Sequence, residues 1–517
     1  MKIDKTPAWY QKRFALKRLQ PSTLALNLIV LSAIVRLRNL DSPISGSYTF
    51  RTTQTAWGIR SVLRNSWSPF SVETPVLGSP WKIPFEFPLY QITAGLFARV
   101  LSLSVESSGR LVSIIFFSGA AAIFYKICRH FLEPSVSLLI LGIFLFNAHN
   151  LEYGSAVLIE YCALFFALGS FLALLKYFES GKSWYFVPFV LLGSLCALVK
   201  VTTSIIWLLV GVLALAVIRQ ATYRSTLKVL TISVIAHVPS IWWTRWADNQ
   251  KSSSVRTQWL TSRNLGTWNF GTLRQRIFYF EWDRALVKEF LPSVIGMVSV
   301  LVGLLVFGLA FTATRRPILG WLFLFVSGPV IFTNLYFVHD YYWTAVLPAL
   351  MLVIGLSVHA VSEAVKPYLR TKTFSFSLFR TGIVLALVCS SWFSDYGSRH
   401  LDVFAKPGDY DFRENDNRVS SAVNLLQKYT EPTDQIIVVG ADWNPRILYF
   451  SDRRGLMVPS SFSFEEATSG VGIGTDYKYL LVNDVNHVGI RDASKISAGS
   501  SIERVSGNLF RFLTVNE

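Results

Sequence analysis

Apolar runs recur through the first four hundred residues of this chain and limit the folds open to it. About 17–25 consecutive apolar residues is the length that a bilayer-spanning helix needs. The chain is 52% hydrophobic and only 16% charged, whereas soluble domains carry about 25% charged residues. The sequence therefore predicts a polytopic α-helical membrane protein with about 11 spans, at residues 23–38, 108–127, 133–149, 157–178, 184–200, 202–218, 227–245, 291–313, 317–337, 342–364 and 380–396.

The basic residues between these spans predict the orientation. Cytoplasmic loops are enriched in Lys and Arg, so the short basic loops should share one side. With a cytoplasmic N-terminus, every short basic loop falls inside: Lys2, Lys5, Lys12, Arg13, Lys17, Arg18; Lys126, Arg129, His130; Lys176, Lys182; Arg219, Arg224, Lys228; Arg315, Arg316; Lys366, Arg370, Lys372, Arg380. This topology explains much of the net charge of +17 without nucleic acid as a partner. Residues 88–106 would invert the pattern as a twelfth span, so we expect an amphipathic or half-inserted helix at the outer surface.

Two long loops and a C-terminal region lie outside the membrane in this topology. The loops cover residues 39–107 and 246–290, and loops of this length usually carry function. Residues 1–397 form the predicted transmembrane domain, and residues 398–517 form an extracytoplasmic α/β domain. In that domain we expect a helix at 416–429 and strands at 435–440, 455–460, 478–484 and 508–514. It has no GxGxxG motif or P-loop, so no nucleotide site is predicted.

The first long loop contains charged residues in an apolar setting. The segment PWKIPFEFPLYQ places Lys82 and Glu86 among prolines and aromatics, and Asp41, Arg51 and Gln54 lie upstream. Arginines on a surface helix could simply meet lipid headgroups. Contact with anionic lipid headgroups would not stabilise a carboxylate, so the presence of Glu86 here favours the interpretation of this loop as a functional site.

Further ionisable residues occur where spans meet the outer surface. Glu160 begins a span, Lys200 follows the apolar stretch CALV, and His339, Asp340, Tyr341 and Tyr342 open another span. Interfacial anchoring or snorkelling would also explain them, but ionisable residues at membrane depth mark function by default. Together the carboxylates and cations predict a site for an anionic lipid-linked substrate. A carboxylate would act as general base on a hydroxyl, and cations would hold a phosphate leaving group.

Metal binding is a weaker expectation. Glu86, His339 and Asp340 could together hold a divalent metal ion, but a single His-Asp pair is not specific.

These motifs, in this order, resemble the GT-C superfamily of membrane glycosyltransferases, in particular the protein O-mannosyltransferases and the bacterial aminoarabinose transferase that acts on lipid A. The resemblance covers residues 20–365 and rests on an FRxTQTA-like segment (residues 50–56), EFPLY (residues 86–90), Glu160, the VK turn at Lys200 and HDYY…LP (residues 339–348). It implies a polyprenyl-phosphate sugar donor, transfer to a hydroxyl on the outer face and inversion at the anomeric carbon.

The resemblance also implies roles for individual residues. Glu86 resembles the acid of the family's E-x-P motif, Glu160 a second acid, and Lys200 a lysine that contacts the donor phosphate. His339 and Tyr342 resemble the entry to the substrate cavity, and we group Tyr341, Arg51, Gln54 and Lys82 with the substrate-binding residues. The chain departs from the family in having no acid between Ser42 and Val72, where relatives carry an Asp. Asp41, Glu86 and Glu160 therefore remain the candidate bases.

The resemblance implies the partners. They are a polyprenyl-phosphate-linked sugar, a hydroxyl acceptor on a glycan, lipid or protein, and membrane lipid. The predicted extracytoplasmic placement of the C-terminal region indicates a bacterial inner or plasma membrane as the location. Three alternatives remain: an O-antigen-type polymerase or ligase, a transporter of lipid-linked sugars, and a diverged noncatalytic lipid-binding partner.

Overall fold

The computed structural model describes residues 20–44, 46, 48–365, 373–410, 417–483 and 502–513. The basic N-terminal segment and the basic loop at 366–372, both used to predict the orientation, lie outside these residues. So do positions 416, 484 and 514, the ends of three predicted elements.

Helices make up most of the structure. The α-helices are Pro21–Leu37, Thr49–Arg64, Leu89–Leu101, Val105–Cys128, Pro134–Phe146, Ala148–Tyr153, Glu160–Ser180, Phe186–Val199, Val201–Ser204, Gly211–Arg219, Tyr223–Ala236, Val238–Ser252, Gly266–Phe270, Leu273–Ile277, Tyr279–Trp282, Leu291–Ile295, Val298–Ala310, Thr312–Ile331, Thr333–Val338, Leu347–Val365, Thr373–Phe393, Asp395–Ala405, Asn417–Tyr429, Arg446–Ser451 and Phe464–Thr468. Ile205–Val210 and Asp283–Phe290 are π-helical, and Pro69–Ser71, Ser183–Tyr185, Gln258–Leu260, Asp340–Ala345 and Pro407–Tyr410 are 3₁₀ turns.

Each predicted span overlaps one helix or several successive helices, but fewer helices have the length that a span requires. Within the described residues, five are long and apolar enough to cross a membrane: Val105–Cys128, Glu160–Ser180, Val201–Arg219, Tyr223–Ser252 and Leu347–Val365. A sixth would be the pair Tyr279–Ile295 and Val298–Ala310, which is bent by 87°. Others are short: Pro134–Phe146 has 13 residues, about 20 Å, against a hydrocarbon core of about 30 Å. A mostly helical chain with apolar helices is therefore confirmed, and the count of 11 spans is not.

The segment predicted to lie at the outer surface contains the helix Leu89–Leu101. It has 13 residues, and it buries Tyr90, Ala94 and Ala98 while Leu96 and Val100 remain exposed. This division into two faces fits an amphipathic helix. Its position at the outer surface remains a prediction.

The centre of the helical region is apolar on nearly all sides. Glu160–Ser180 is largely buried and packs against Val105–Cys128 and Phe186–Val199. A helix that is hydrophobic all round belongs in a core rather than at a surface. The π-helical turn Ile205–Val210 places Trp207 so that its indole N–H donates to the carbonyl of Ala345 at 2.8 Å. That bond ties the segment after Lys200 to the segment after Tyr342.

The C-terminal region contains a five-stranded sheet. Its strands are β1 (Gln435–Val439), β2 (Arg454–Met457), β3 (Tyr477–Val482), β4 (Ile502–Ser506) and β5 (Leu509–Phe512), in the order β2-β1-β3-β5-β4. β1 pairs in parallel with β2 and β3, and β5 is antiparallel to β3 and β4. Four of these strands and the helix Asn417–Tyr429 match the prediction. Strand β4 was not predicted, although the Gly507-Asn508 turn between it and β5 is a hairpin signal.

The first long loop adds to the edge of this sheet. Gly455 N–H donates to the carbonyl of Pro75 at 3.2 Å, Met457 N–H donates to that of Val76 at 2.7 Å, and Leu77 forms a bridge with Leu456. The loop is thereby held between the helical region and the sheet.

Candidate functional site

Helix Thr49–Arg64 carries the first part of the site. Arg51 donates to Gln54 Oε1 at 2.6 Å, one turn further along the helix, and forms an ion pair with Glu86 of the same long loop. The Glu86 segment is rich in proline, which cannot donate a backbone hydrogen bond. The N–H of Phe87 donates to the carbonyl of Leu198 at 3.0 Å, so Glu86 is held beside the end of helix Phe186–Val199.

A second ion pair lies next to the first. Lys200, in extended conformation between two helices, donates from Nζ to Glu160 Oε1 at 2.6 Å. Lys200 is 5% exposed and Glu160 4%. Glu160 is the first residue of its helix, where the helix dipole favours an anion. Its other oxygen, Oε2, is buried and has no hydrogen-bond partner within the described residues.

The turn at residues 339–342 brings aromatic groups over these charges. Lys200 Nζ lies 3.7 Å from the ring centroid of Tyr342 and 5.3 Å from that of Tyr341. His339 and Tyr341 stack with centroids 5.2 Å apart. Burial, and then the cations Lys200 and Arg51, lower the pKa of His339 to about 4, so its imidazole is neutral at pH 7. Five segments of the chain thus meet in one cluster, which we call the Lys200 cluster: Arg51, Gln54, Glu86, Glu160, Lys200, His339, Tyr341 and Tyr342.

A small cleft of about 40 Å³ opens beside this cluster. Its lining includes Arg51, Gln54, Glu86, Gln91 and Trp243. The side chain of Glu86 is 28% exposed, so this carboxylate is within reach of a molecule in the cleft.

Two predicted residues are not part of the Lys200 cluster. Asp41 accepts a hydrogen bond from Ser107 Oγ at 2.8 Å, near the start of helix Val105–Cys128. Lys82 is half-buried and makes no ion pair or side-chain hydrogen bond in the part of the chain that the structure describes. Their roles remain predictions.

Asp340 joins a different group of buried side chains, which we call the Asp340 network. Its Oδ1 accepts from Tyr153 Oη at 2.6 Å and its Oδ2 accepts from Tyr396 Oη at 2.9 Å. His400 Nε2 lies 3.6 Å from Oδ2, and His400 Nδ1 contacts Glu152. The carboxylate of Asp340 is therefore engaged away from Glu86, and the predicted metal ligands Glu86, His339 and Asp340 do not form one site.

One other group of metal-ligating residues occurs among the described residues. The ligand atoms of Glu133, His359 and Glu363 lie within 4.8 Å of one another. His359 and Glu363 lie on helix Leu347–Val365, and Glu133 precedes helix Pro134–Phe146. These three residues could hold a divalent metal ion, but none of them belongs to the Lys200 cluster.

Several residues at or near the cleft were not predicted from the sequence. Trp243 donates to the carbonyl of Phe85 at 3.1 Å, and Lys251 lies 5.1 Å from the Phe85 ring centroid and 3.1 Å from Asp248. Trp443, from the C-terminal region, contacts the rings of Phe50 and Phe85. Trp243 lies in the predicted span 227–245, Lys251 in the second long loop and Trp443 just after β1, and no pattern in the sequence joins these three positions.

No protein-family model matches the sequence, and no curated protein matches it. Solved structures do match it in fold. ArnT from Cupriavidus metallidurans, bound to undecaprenyl phosphate, superposes with a TM-score of 0.61 at 13% identity over 94% of this chain and 97% of that chain. The oligosaccharyltransferase AglB from Archaeoglobus fulgidus, in complex with an inhibitory peptide and a dolichol-phosphate, has a TM-score of 0.57 at 10% identity over 92% and 70%. The arabinofuranosyltransferase AftD from Mycobacteria has a TM-score of 0.51 at 14% identity over 90% of this chain and 35% of that chain.

The chain has the GT-C fold. This confirms the fold implied by the motif resemblance. At these identities the likeness concerns the fold alone, and the site must carry the argument for function.

Proposed function

We propose that this chain is an integral-membrane glycosyltransferase that moves a sugar from a polyprenyl-phosphate donor to an acceptor hydroxyl on the outer face of the membrane. The observation that carries the proposal is the convergence of two ion pairs, Arg51–Glu86 and Lys200–Glu160, beside a cleft in a GT-C fold. The polyprenyl phosphates named for the ArnT and AglB structures support the choice of leaving group.

The cations would bind the phosphate. Arg51 and Lys200 already have carboxylate partners, so an arriving phosphate shares or replaces those contacts rather than meeting free charge. A cationic group that is already positioned for the phosphate in a water-poor site stabilises the negative charge that grows there more strongly than the same group would in water. The tyrosines stacked near Lys200 would hold its ammonium in place.

Glu86 would be the base. The acceptor oxygen attacks the anomeric carbon, the bond from that carbon to the phosphate oxygen breaks, and its electron pair remains on the phosphate. The acceptor proton goes to the Glu86 carboxylate, which lines the cleft and is partly exposed. Glu160 is more deeply buried and is bound to Lys200, so its role would be to orient that lysine.

The proposal is tested with purified protein in nanodiscs and a panel of polyprenyl-phosphate sugars, by following release of free polyprenyl phosphate. We expect Glu86→Gln to lower turnover by about 10²–10⁴-fold, the usual contribution of a positioned base, while donor binding persists. Glu160→Gln should change donor affinity more than Glu86→Gln does. Glu73→Gln is the matched control, because Glu73 lies in the same loop and pairs with Arg454.

The outcomes separate the alternatives. Wild-type turnover in Glu86→Gln would exclude Glu86 as the base. Donor binding without release, given acceptors of glycan, lipid and protein type, would identify a noncatalytic lipid-binding protein. Absence of donor binding would reject the transferase proposal.

A further inference from the structure

Helix Thr312–Ile331 carries an exposed apolar stripe. Leu319, Phe323, Val326 and Val330 are 37–50% exposed, and their spacing of four, three and four residues places them on one face of the helix. This helix covers most of the predicted span 317–337, so the stripe would face lipid. In the predicted topology it ends, at Val330, near the outer surface of the membrane.

Residues 266–280 of the second long loop, which we call the 266–280 segment, continue this apolar surface. The segment contains the short helices Gly266–Phe270 and Leu273–Ile277. Its most exposed side chains are large and apolar or aromatic, and four of them are 70–74% exposed: Leu273, Ile277, Tyr279 and Phe280. Exposed apolar surface that is this concentrated marks an interaction site with a protein or a membrane.

Hydrogen bonds hold the 266–280 segment against the outer end of the span. The guanidinium of Arg276 donates to the carbonyl of Val330 at 3.1 Å, and Asn334 Nδ2 donates to the carbonyl of Trp268 at 2.9 Å. Gly271, with φ +70°, lies so close to the next helix that an added Cβ would be 3.0 Å from the backbone nitrogen of Asn334. The exposed side chains are therefore presented by a backbone that is fixed to the helical region.

The charges in and beside this segment have one sign. Between residues 263 and 280 the sequence has Arg263, Arg274 and Arg276 and no Asp or Glu. Arg263 and Arg274 are exposed, and Arg274 Cζ lies 5.0 Å from the ring centroid of Phe278. Cations next to exposed aliphatic and aromatic side chains are typical of segments that lie in a bilayer interface and contact anionic lipid.

We propose that the 266–280 segment docks onto the outer leaflet of the bilayer that the chain spans, with a preference for anionic lipid. Leu273, Ile277 and Phe280 would enter the boundary between headgroups and acyl chains, and Arg274 would contact headgroup phosphates. The continuity with the stripe on helix Thr312–Ile331 favours a bilayer over a second copy of the chain or another protein as the occupant. This inference does not depend on the transferase proposal.

Docking would also fix the Lys200 cluster relative to the bilayer surface. The Trp268 ring contacts the ring of His339 edge-on, with centroids 6.2 Å apart, and His339 belongs to the cluster. The phosphate of a membrane lipid lies at headgroup level. A docked segment would therefore hold the cluster near the depth at which such a phosphate arrives.

The test places a fluorescent label on single cysteines of the full chain in nanodiscs of mixed anionic and zwitterionic lipid. Of the native cysteines, Cys389 is exposed and is changed to serine, and the other three are buried. The labelled variants are Ile277→Cys, Val330→Cys in the apolar stripe, and Ser421→Cys at an exposed position of the C-terminal region. The quenchers are a nitroxide on lipid acyl chains near the headgroup and iodide in the water.

We expect the lipid nitroxide to quench the label at position 277 as strongly as the label at position 330. Iodide should quench it about fivefold less than the label at position 421, because side chains at the acyl boundary lie out of water. Equal iodide quenching at positions 277 and 421 overturns the proposal. Shielding of position 277 from both quenchers also overturns it, in favour of a second copy or another protein. Leu273→Cys provides a second labelled position if Ile277→Cys does not fold.

The preference for anionic lipid is tested by carrying the nitroxide on either an anionic or a zwitterionic lipid. Near position 277 we expect the anionic lipid to be enriched about fivefold for each cation at the surface. Arg274→Gln should remove the share that this residue contributes. Arg504→Gln is the matched control and should change nothing, because Arg504 is also exposed and lies over an aromatic ring, that of Phe510, but in the C-terminal sheet. Equal quenching by the two lipids in the wild type overturns the preference.

Discussion

The Lys200 cluster and the Asp340 network are joined by one short turn, residues 339–342, yet their polar groups are satisfied to different degrees. In the network both oxygens of Asp340 accept a tyrosine hydroxyl, and one atom of the described residues, His400 Nε2, is buried without a hydrogen-bond partner. In the cluster, Glu160 Oε2, His339 Nδ1 and Gln54 Nε2 are buried and lack hydrogen-bond partners among the described residues. A buried group is normally paired, because an unpaired one is costly. The contrast indicates that the network holds the turn in place, whereas the cluster retains capacity for a ligand.

The largest effect should follow from Lys200→Met. The change leaves the Glu160 carboxylate buried without its cation, and breaking a buried pair costs about 3–5 kcal/mol. We expect the free energy of unfolding in detergent to fall by that order and donor binding to be lost.

The double variant Lys200→Met/Glu160→Gln is the control. It removes the unpaired charge, so it should recover most of the stability and none of the donor binding. If the double variant is as unstable as Lys200→Met alone, the buried charge is not the cause.

Asp340→Asn should act on stability alone. The amide keeps the shape of the carboxylate, but its NH₂ group meets a tyrosine hydroxyl that now donates to the carboxylate. Leaving such a buried group unsatisfied costs about 1–3 kcal/mol. We expect a lower free energy of unfolding and a donor affinity within about threefold of wild type. A loss of donor binding as complete as in Lys200→Met would show that the two regions act as one site.

Sequence reasoning identified charged members of the cluster because each interrupts an apolar stretch. Glu160 and Lys200 are costly at membrane depth unless they have a partner or a ligand, and that cost is visible in one sequence. The sequence could not show that Asp340 and His339, adjacent in the chain, belong to different regions. The 3₁₀ turn Asp340–Ala345 decides this, and turn geometry depends on packing against Tyr153 and Tyr396.

The fold shows the same limit. Apolar periodicity predicted the helices and most of the strands, because burial sets these patterns locally. It could not show that the first long loop pairs with β2, or that Trp443 reaches Phe50 and Phe85. Those contacts join residues far apart in the chain, and no local pattern encodes them.

The Asp340 network should also make stability depend on pH. Burial raises the pKa of Asp340 to about 6. Burial acts to lower the pKa of His400, but the Glu152 carboxylate outweighs it and raises that pKa above its usual range. The folded state thus binds protons more tightly at both groups than the unfolded state, so their contribution is lost as pH rises. For Asp340 the loss falls between pH of about 4 and 6, and for His400 it begins above about 6.5.

The measurement is the free energy of unfolding against pH for wild type and His400→Gln. We expect the difference between the two to shrink as pH rises above about 6.5. Glu86→Gln is the control, because Glu86 is not in the network. Above pH of about 6.5 its free energy of unfolding should change with pH in parallel with that of the wild type. A difference between wild type and His400→Gln that stays constant from pH 5 to 9 would contradict the charge assignment.

The smallest effect should come from an exposed ion pair of the kind that neither region contains. Arg64 contacts both oxygens of Asp452 at 2.8 Å, linking helix Thr49–Arg64 to the C-terminal region, but its side chain is 54% exposed. Exposed pairs contribute about 0.2–1 kcal/mol and are screened by salt. Arg64→Ala should therefore lower stability by no more than this, with the difference vanishing at high salt.

Arg60→Ala is the matched comparison, since Arg60 contacts the same Asp452 at 3.0 Å and also lies 3.9 Å from the Tyr449 ring centroid with its side chain only 14% exposed. We expect Arg60→Ala to lose more stability than Arg64→Ala and the loss to persist at high salt. Equal, salt-sensitive losses of stability at both positions would show that burial does not set the strength of this contact.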